Sequence, residues 1–466
     1  MLIRELSLCN FRNIKQANVQ FGNLLNIIHG ANGQGKTNLL EAVYLLALAD
    51  SYRTNNDSEL INFKADSCLL HATLANELTD NSSKFVEAST LALEIKKAAN
   101  KTEKTYSKDN LPVARVADFI GNFNAVLFAP EDLLLIKSSP QLRRQFLNRI
   151  LAQSKRAYIY NLQKLNQLLQ SKNRLLKELQ VFDPKCVLEQ YKSLLKSTVS
   201  ATVLNRAYLH ELVANLNEAN QEQAIKQKLG MILTLNKNFV EVASLIIFER
   251  LQVVLAFNKL VTNYQDMLSL GKETLQVKYL SCVPLTNDIT VDKIKELLSH
   301  KVEQAFNSDF FKGHCSIGPQ RDDLEFYLNE KNCRLYASQG QQRTVILALK
   351  LAECDYLTYV KQIKPVLLLD DVLSELDSLR QQALLHNIMD RQVLLTCTDL
   401  DFMANMQMPK TDICFIQVNQ GKITQGEVNQ DIITQGEEQQ GEATKYEAVQ
   451  SQTQQGEVSL SEFSKE

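Results

Sequence analysis

The stretch NIIHGANGQGKTNLLEA, residues 26–42, places three glycines and a lysine between a short apolar run and a helix-forming segment. Four of its residues, Gly30, Gly35, Lys36 and Thr37, fit the pattern G-x-x-x-x-G-K-[ST] of a phosphate-binding loop. Glycines allow backbone N–H groups to surround phosphate oxygens, and the lysine supplies a cation at a helix N-terminus that already favours anions. An ordinary glycine-rich turn is the weaker alternative. We expect ATP to contact residues Gly30, Ala31, Asn32, Gly33, Gln34, Gly35, Lys36 and Thr37.

The stretch PVLLLDDVLSELD, residues 365–377, predicts a buried strand that ends in two acids, Asp370 and Asp371. A phosphate-binding loop needs an acid to hold Mg²⁺ and a group that orients or deprotonates the attacking water. Alone, an apolar run followed by acids would indicate no more than a core strand. Together with the loop it predicts ATP hydrolysis. Thr37 and Asp370 are the expected Mg²⁺ ligands, and Lys36, Asp370 and Asp371 are the expected catalytic residues.

A third stretch, ASQGQQRTVILALKLAE (residues 337–353), predicts a helix that begins near Gln341, with Ser338 as its cap and Gly340 in the turn. It also resembles the signature motif of ABC-type ATPases, in which a serine and a glycine at a helix N-terminus bind the γ-phosphate held by the other subunit. The resemblance implies that two chains enclose two ATP molecules, with Ser338, Gly340 and Gln341 contacting the nucleotide of the other chain. The phrase SELD, residues 374–377, is similar to the D-loop of that family.

Composition excludes several classes of protein. The chain has 466 residues, 45% of them hydrophobic and 22% charged, which is typical of globular proteins. Its net charge of -2 gives no overall basic field, so a surface for nucleic acid would have to be local. Nine cysteines without a C-x-x-C pair indicate reduced thiols rather than a zinc site. Because no signal peptide or membrane-spanning run is present, we predict a cytoplasmic protein without a membrane partner.

The pattern of apolar residues changes twice along the chain. Strand patterns such as FVEASTLALEIKK (85–97) and FNAVLFA (123–129) give way to long helical patterns, and strand-like runs return at CSIG, LEFYLN, CRLYA, PVLLLD and QVLLTC. We therefore predict an α/β fold with a head formed by residues 1–135 and 306–420, and a mainly α-helical lobe inserted at 136–305. Residues 421–466 repeat the phrases ITQGE and QQGE and are predicted to be a disordered, low-complexity tail.

Several phrases of the chain resemble, in the same order, the RecF family of SMC-related, ABC-type P-loop ATPases. They are LCNFRNI, GANGQGKTNLLEA, SYRT, APEDLLLIKSSPQLRRQFLN, GPQRDDL, SQGQQR and LLLDDVLSELD, and they span residues 1 to about 418. The resemblance implies an ATP-dependent homodimer that binds double-stranded DNA near single-strand gaps and hydrolyses ATP weakly, with stimulation by DNA. It further implies work with RecR and RecO to load RecA in recombinational repair and replication.

Two positions depart from the pattern of related proteins. Gln320 replaces the histidine of the phrase G-P-H-R-D-D in the RecF family, and a glutamine cannot take part in proton transfer. Thr398 stands near the position where ABC transporters carry a switch histidine. A threonine cannot carry the charge of a histidine, so we expect slow hydrolysis.

A basic segment provides a prediction about DNA that does not depend on the resemblance. Residues 133–177 contain ten lysines and arginines and no aspartate or glutamate. Solvated helix faces usually mix both signs of charge, because pairs of opposite charge stabilise a helix. A segment without acids favours contact with phosphates, although a solvated face is the alternative. The leading candidates for DNA contact are Arg143, Arg144, Arg149, Lys155 and Arg156.

Two further functions stay open. A non-hydrolysing, ATP-binding scaffold that recruits repair partners would carry the same loop and need no chemistry from Asp371. A transporter cassette would need a membrane subunit and a short helical insertion between its motifs. The long helical segment between Lys36 and Asp370 disfavours the transporter.

Overall fold

The computed structural model describes residues 1–75, 88–98, 101–199, 216–398, 400 and 413–425. The strands in these residues are β1 (Leu2–Phe11), β2 (Ile14–Gln20), β3 (Leu25–His29), β4 (Ser67–Ala75), β5 (Ala88–Ala98), β6 (Lys101–Lys108), β7 (Leu111–Val113), β8 (Ala125–Phe128), β9 (Leu275–Leu280), β10 (Asp323–Leu328), β11 (Lys331–Asn332), β12 (Val366–Asp370), β13 (Val393–Cys397), β14 (Ile413–Asn419) and β15 (Lys422–Gln425). The α-helices are α1 (Lys36–Leu48), α2 (Val116–Phe119), α3 (Leu134–Lys137), α4 (Pro140–Ser154), α5 (Arg156–Leu179), α6 (Pro184–Val199), α7 (Leu216–Ser269), α8 (Val291–Gln304), α9 (Phe306–Lys312), α10 (Cys333–Tyr336), α11 (Gln339–Lys361) and α12 (Ser378–Ile388). Short 3-10 helices cover Asp57–Leu60, Pro130–Leu133 and Leu373–Glu375.

A six-stranded sheet in the order β15-β14-β3-β13-β12-β8 forms the centre of the head. Strands β14, β3, β13, β12 and β8 run parallel, and β15 adds an antiparallel edge. The carboxyl ends of parallel strands meet at one edge of a sheet, where ligands of α/β proteins usually bind. At this edge β3 leads into the glycine-rich loop, β12 ends at Asp370 and β13 ends at Cys397.

A second six-stranded sheet, in the order β2-β1-β4-β5-β6-β7, is antiparallel throughout. Helix α1 packs in one hydrophobic core with residues of both sheets and is buried on almost every side, which explains why its sequence is mostly apolar after the first turn. Successive residues of β12 contribute to opposite cores, because Leu367 and Leu369 join the helices of the lobe while Val366 and Leu368 join α1. The central sheet is therefore covered on both faces.

The helices between β8 and β10 pack around α7, which contacts α4, α5, α6, α8 and α11. Strand β9, inside the predicted lobe, pairs with β10, which lies beyond the predicted boundary at residue 306. Phe306 and Phe310 of α9 also pack in one cluster with Leu176 and Tyr191 of the lobe helices. Residues just after 306 thus contact the lobe, and the division into head and lobe remains a prediction.

Two strand predictions are wrong, and a strand lies just after the predicted start of the C-terminal tail. CSIG (315–318) forms no strand, because the backbone N–H and hydroxyl of Ser316 bond the carboxylate of Asp309 instead of a sheet neighbour. CRLYA (333–337) begins with helix α10, whose first turn is capped by Asn332. Short apolar runs do not distinguish strand from helix. Residues Lys422–Gln425 form β15, so ordered backbone extends past the predicted start of the tail at 421, and the remainder of the tail lies outside the described residues.

The described helices include none that is both long and apolar enough to span a bilayer. In the same residues no group of three or more histidines, cysteines, aspartates and glutamates is arranged to hold a metal ion.

Candidate nucleotide-binding site

The glycine-rich loop joins the end of β3 to the N-terminus of α1 in the backbone conformation that its sequence predicts. Gly30 has φ 150° and Gly35, at the N-cap of α1, has φ 114°, both in the region that favours glycine. A Cβ on Gly30 would lie 2.3 Å from the carbonyl oxygen of Val418 in β14. Because Gly35 has no side chain to cap the helix, the first N–H groups of α1 remain available to an anion.

Gln34 fixes the loop between two turns of the chain. Its carbonyl oxygen accepts hydrogen bonds from the Asn13 side chain (3.0 Å) and from the backbone N–H of Gly421 (3.0 Å). Its side-chain oxygen accepts a bond from the backbone N–H of Gln420 (2.7 Å). The loop is therefore held from the β1–β2 turn on one side and from the β14–β15 turn on the other.

Lys36 lies inside the loop rather than in solvent, with only 7% of its surface exposed. Its Nζ donates to the carbonyl oxygens of Gly30 (2.5 Å) and Ala31 (3.2 Å), and it lies 3.4 Å from Oδ1 of Asn32. Burial and the neighbouring Lys36 charge lower the pKa of His29, the last residue of β3. The loop thus concentrates positive charge at its centre, as phosphate binding requires.

The two predicted magnesium ligands are in direct contact. The hydroxyl of Thr37 donates to Oδ1 of Asp370 at 2.9 Å, which joins the start of α1 to the end of β12. Burial raises the pKa of Asp370, and hydrogen bonds from Thr37, Thr396 and Tyr52 act in the opposite direction. Hydroxyl and carboxylate oxygens suit Mg²⁺, which in phosphate sites takes one or two carboxylates plus oxygens of the substrate. The residues present therefore fit magnesium bound with a nucleotide.

Asp371 follows β12 in a left-handed backbone conformation with φ 52°. Its backbone N–H donates to the hydroxyl of Thr396 at 2.9 Å, and its carbonyl oxygen accepts a bond from the Ser374 hydroxyl at 2.7 Å. A non-glycine residue in this region is uncommon and persists where neighbouring bonds hold it. The side chain is half-buried and follows Asp370 directly in the chain.

Three side chains at this site were not predicted from the sequence. Thr396, on β13, donates to Oδ1 of Asp370 at 2.9 Å, and Tyr52 donates to Oδ2 at 3.2 Å. Glu41, fully buried on α1, binds Arg12 through two hydrogen bonds. Strand register could have indicated Thr396, because it pairs with Asp370 across β12 and β13. Thr398, the residue near the position of the transporters' switch histidine, is exposed and lies one residue beyond β13.

The predicted signature residues form the capped start of α11. The Ser338 hydroxyl accepts a bond from the backbone N–H of Gln341, and the Gln341 side chain accepts one from the backbone N–H of Ser338. Gln341 also donates to Glu273 at 2.8 Å. The predicted cap is confirmed, and the helix begins at Gln339. In the described part of the chain no hydrogen bond or ion pair joins residues 338–341 to residues 30–37.

The prediction that Arg143 contacts DNA is wrong, because this side chain is 3% exposed. It forms two bonds with the carboxylate of Asp323, at 2.7 and 2.9 Å, and donates to the carbonyl oxygen of Ser138 at 2.8 Å. Arg144 is only half-buried, and it donates to the carbonyl oxygen of Asp322 at 2.8 Å. Both arginines therefore hold α4 against the phrase GPQRDDL.

The other three candidates for DNA contact also have partners within the protein. The guanidinium of Arg149 lies 5.9 Å from the ring centre of Tyr44. Lys155 pairs with Glu249, and Arg156 pairs with Asp118 at 3.4 Å, although its side chain stays 58% exposed. The acids missing from the basic segment are thus supplied by residues distant in sequence.

The phosphate-binding loop, the acid pair on a neighbouring parallel strand and the capped helix define an ATP-binding head of the ABC-like class. A family model described as "RecF/RecN/SMC N terminal domain" matches residues 2–455, so the chain belongs to this family, whose members are ATP-binding, ABC-like ATPases. The chain is 34% identical over 426 residues to the DNA replication and repair protein RecF of Ligilactobacillus salivarius, covering 91% of this chain and 98% of that protein. It is 33% identical over 424 residues to RecF of Bacillus cytotoxicus, with the same coverage.

Solved structures agree with these relatives. The recombination mediator protein RecF with ATP, described as part of the RecFOR pathway, matches with a TM-score of 0.73 and 25% identity over 91% of this chain and 97% of that chain. A second RecF structure, described as RecF-ATPrS, matches with a TM-score of 0.71, covering 91% of this chain and 98% of that chain. The predicted fold class and the predicted resemblance to the RecF family are confirmed.

Proposed function

We propose that this protein is an ATP-driven clamp of DNA repair and replication. ATP joins two copies of the chain, the joined pair binds double-stranded DNA near a single-strand gap, and slow hydrolysis to ADP and phosphate releases it. The observation that carries the proposal is the 2.9 Å contact between Thr37 and Asp370, which brings the phosphate-binding loop and the acid pair into one site. Relatives named for DNA replication and repair support the same conclusion.

Each residue of the site has a separate task in this proposal. Lys36 and the N–H groups of the loop bind the β- and γ-phosphates, and Thr37 and Asp370 would hold Mg²⁺, which would neutralise phosphate charge. Asp371 orients the attacking water or accepts its proton. The left-handed backbone of Asp371 supports this task, because it turns the chain directly after Asp370 and keeps the second carboxylate near the strand end.

The start of α11 supports the dimer. Ser338 and Gly340 are exposed, and a Cβ on Gly340 would meet no atom within 4 Å, so a phosphate could approach the backbone closely. A helix N-terminus favours an anion there. Since these residues make no bond to the loop of their own chain, we propose that Ser338, Gly340 and Gln341 bind the γ-phosphate held by a second copy.

Because Arg143 is buried, other residues have to be considered as candidates for DNA contact. Lys137, Lys164 and Lys177 of the basic segment are exposed, and no acidic side chain of the described residues lies within ion-pair distance of them. We propose that these lysines, with the exposed Arg156, contact phosphates. The binding would then depend on salt and backbone shape rather than base sequence. We further propose that the protein acts in the cytoplasm with RecR, RecO and RecA, and that residues 136–305 form the inserted lobe.

The clamp is tested by equilibrium binding of the full chain to a labelled gapped duplex with ATP, ADP or no nucleotide, across a series of salt concentrations. Tight binding only with ATP, falling steeply with salt, is expected. Ser338→Arg should bind ATP normally and fail to dimerise. Lys15→Arg, an exposed change on β2, is the control and should both bind ATP and dimerise normally. Normal ATP-driven dimerisation of Ser338→Arg would overturn the sandwich.

The alternative function, a non-hydrolysing scaffold, is distinguished by the release of phosphate. If Asp371 acts on water, Asp371→Asn should bind ATP with unchanged affinity and release phosphate much more slowly than the unmodified chain. Equal rates in the two proteins would favour the scaffold, because a scaffold needs ATP binding alone.

A further inference from the structure

The carboxylate of Asp370 receives hydrogen bonds from three hydroxyl groups. Thr37 and Thr396 both donate to Oδ1 at 2.9 Å, and Tyr52 donates to Oδ2 at 3.2 Å. Thr37 belongs to the loop and Thr396 to the neighbouring strand, but Tyr52 comes from the phrase SYRT after α1. The phosphate-binding motif itself does not require a tyrosine in the segment after α1.

The turn that carries Tyr52 is built on the buried carboxylate of Glu41. Ser51 donates to Oε1 of Glu41 at 2.6 Å, and Arg53 donates to Oε2 at 3.3 Å, so the residues on both sides of Tyr52 share one anchor. Ser51 also accepts the backbone N–H groups of Arg53 and Thr54, at 3.0 and 3.2 Å. These bonds fix the backbone of Tyr52.

A second set of contacts fixes the ring and the anchor. The ring of Tyr52 packs edge-on against Tyr44 of α1, with ring centres 5.3 Å apart. Arg12 donates twice to Glu41, at 2.9 and 2.7 Å, and also reaches the carbonyl oxygen of Glu59 at 3.0 Å. Glu41 is 0% exposed, so it is held in place by these partners. The hydroxyl of Tyr52 therefore reaches Asp370 from a rigid support.

We propose that Tyr52 is a positioning residue of the magnesium site. Tyr52 holds Oδ2 of Asp370, while Thr396 holds Oδ1. The terminal torsion of an aspartate has a broad minimum, so a carboxylate held at one oxygen can still rotate. With both oxygens held by Thr396 and Tyr52, the carboxylate would keep its orientation if the Thr37 hydroxyl turned toward a bound metal ion. The inference rests on the proposed function, because it requires Mg²⁺ and ATP at Thr37 and Asp370.

The test removes one hydroxyl group and measures metal binding directly. Mn²⁺ serves as the probe, and its affinity for the complex of the full chain with ATP is measured by electron paramagnetic resonance. Tyr52→Phe keeps the ring against Tyr44 and should weaken Mn²⁺ binding about tenfold, the size expected for a hydrogen bond to a charged group. Tyr160→Phe is the matched control, because Tyr160 donates to the carboxylate of Asp118 at 2.8 Å, away from this site.

Two further measurements separate positioning from damage to the site. The affinity for a fluorescent ATP analogue in EDTA should be the same in Tyr52→Phe and the unmodified chain. The Mg²⁺ concentration that gives half-maximal phosphate release should rise about tenfold, while the rate at saturating Mg²⁺ recovers. Unchanged Mn²⁺ affinity in a Tyr52→Phe chain that binds ATP would overturn the inference alone. Failure of the unmodified chain to bind ATP would instead overturn the proposed function.

Discussion

The phosphate-binding loop at residues 30–37 and the basic segment at residues 133–177 both stand out in the sequence, yet their side chains lie in different surroundings. In the loop, Lys36 and Thr37 lie where the motif predicts, and Thr37 contacts Asp370 across the sheet. In the basic segment, Arg143 is buried against Asp323, and Lys155 and Arg156 pair with acids from other parts of the chain.

The difference follows from what each pattern constrains. A phosphate-binding motif specifies backbone conformation, since only glycine adopts φ 114° at Gly35 without strain, and that conformation is local. A run of like charges specifies nothing about its neighbours in space. The acids that neutralise this segment lie up to 180 residues away from it in the chain, at Asp323 opposite Arg143.

The largest effect is expected from a substitution in the phosphate-binding loop. Lys36→Ala removes the cation that lies at the centre of the loop and should weaken ATP binding about a thousandfold, or roughly 4 kcal/mol, because charge-assisted bonds to two phosphates are lost. Isothermal titration with ATP measures the change. Lys15→Ala, an exposed lysine on β2, is the control and should bind ATP normally. An affinity close to that of the unmodified chain in Lys36→Ala would show that the loop does not bind phosphate.

The second prediction tests whether Arg143 stabilises the fold instead of contacting DNA. Arg143→Ala removes the guanidinium that donates to Asp323 and to two backbone carbonyl groups, and should lower the free energy of unfolding by about 3 kcal/mol. Urea denaturation measures it. Lys164→Ala is the matched control on the same segment, and as an exposed change it should stay within about 0.5 kcal/mol. If Arg143→Ala is as stable as the control but binds DNA poorly, Arg143 is a DNA ligand after all.

A smaller effect concerns the exposed lysines of the same segment. Replacing Lys137, Lys164 and Lys177 with glutamine should lower the slope of log affinity against log salt by roughly one unit for each phosphate contact that is lost. The measurement is binding to a gapped duplex with ATP at several salt concentrations. Arg143→Ala, compared at equal folded concentration, should keep the slope of the unmodified chain. An unchanged slope in the triple variant would place the DNA surface on another part of the molecule.

The nucleotide site could be predicted from the sequence as far as its local patterns extend. The loop, the strand that ends at Asp370 and the capped start of α11 each follow from residues that are neighbours in the chain. Tyr52 and Thr396 do not follow from such local patterns, because their roles depend on which strand lies beside β12 and on where the turn after α1 folds. Thr396 shows the limit, since only the strand register places it opposite Asp370.

The same limit explains the errors in the fold. CSIG and CRLYA are apolar runs of four or five residues, a length at which strand and helix patterns coincide. What decided between them was a polar neighbour, Asp309 for the first and Asn332 for the second. The contacts of Phe306 and Phe310 with the lobe likewise depend on packing, which apolar periodicity does not reveal.

The smallest effect is expected where α1, the helix after the phosphate-binding loop, contacts the basic segment. Tyr44 of α1 lies beside Arg149 of the basic segment. Both residues adjoin the buried Lys350 and Glu353 and the partly buried Asp132. Lys350 pairs with Asp132 at 3.0 Å and lies 3.8 Å from Glu353. Burial raises the pKa of Glu353 to about 7, and the Lys350 charge opposes that rise.

A raised carboxyl pKa sets the sign of the expected pH dependence. Between the ordinary value near 4.5 and about 7, the folded chain binds a proton at Glu353 that the unfolded chain has released, so stability falls as pH rises through this window. Glu353→Gln lacks this loss, and Lys350 keeps Asp132 as its partner. The variant should therefore match the unmodified chain near pH 5 and exceed its stability by roughly 1 kcal/mol at pH 8, measured by urea denaturation at both values. A gain of equal size at both pH values would mean that the Glu353 carboxyl is charged throughout, and that the basic residues around it hold it ionised where α1 meets α4.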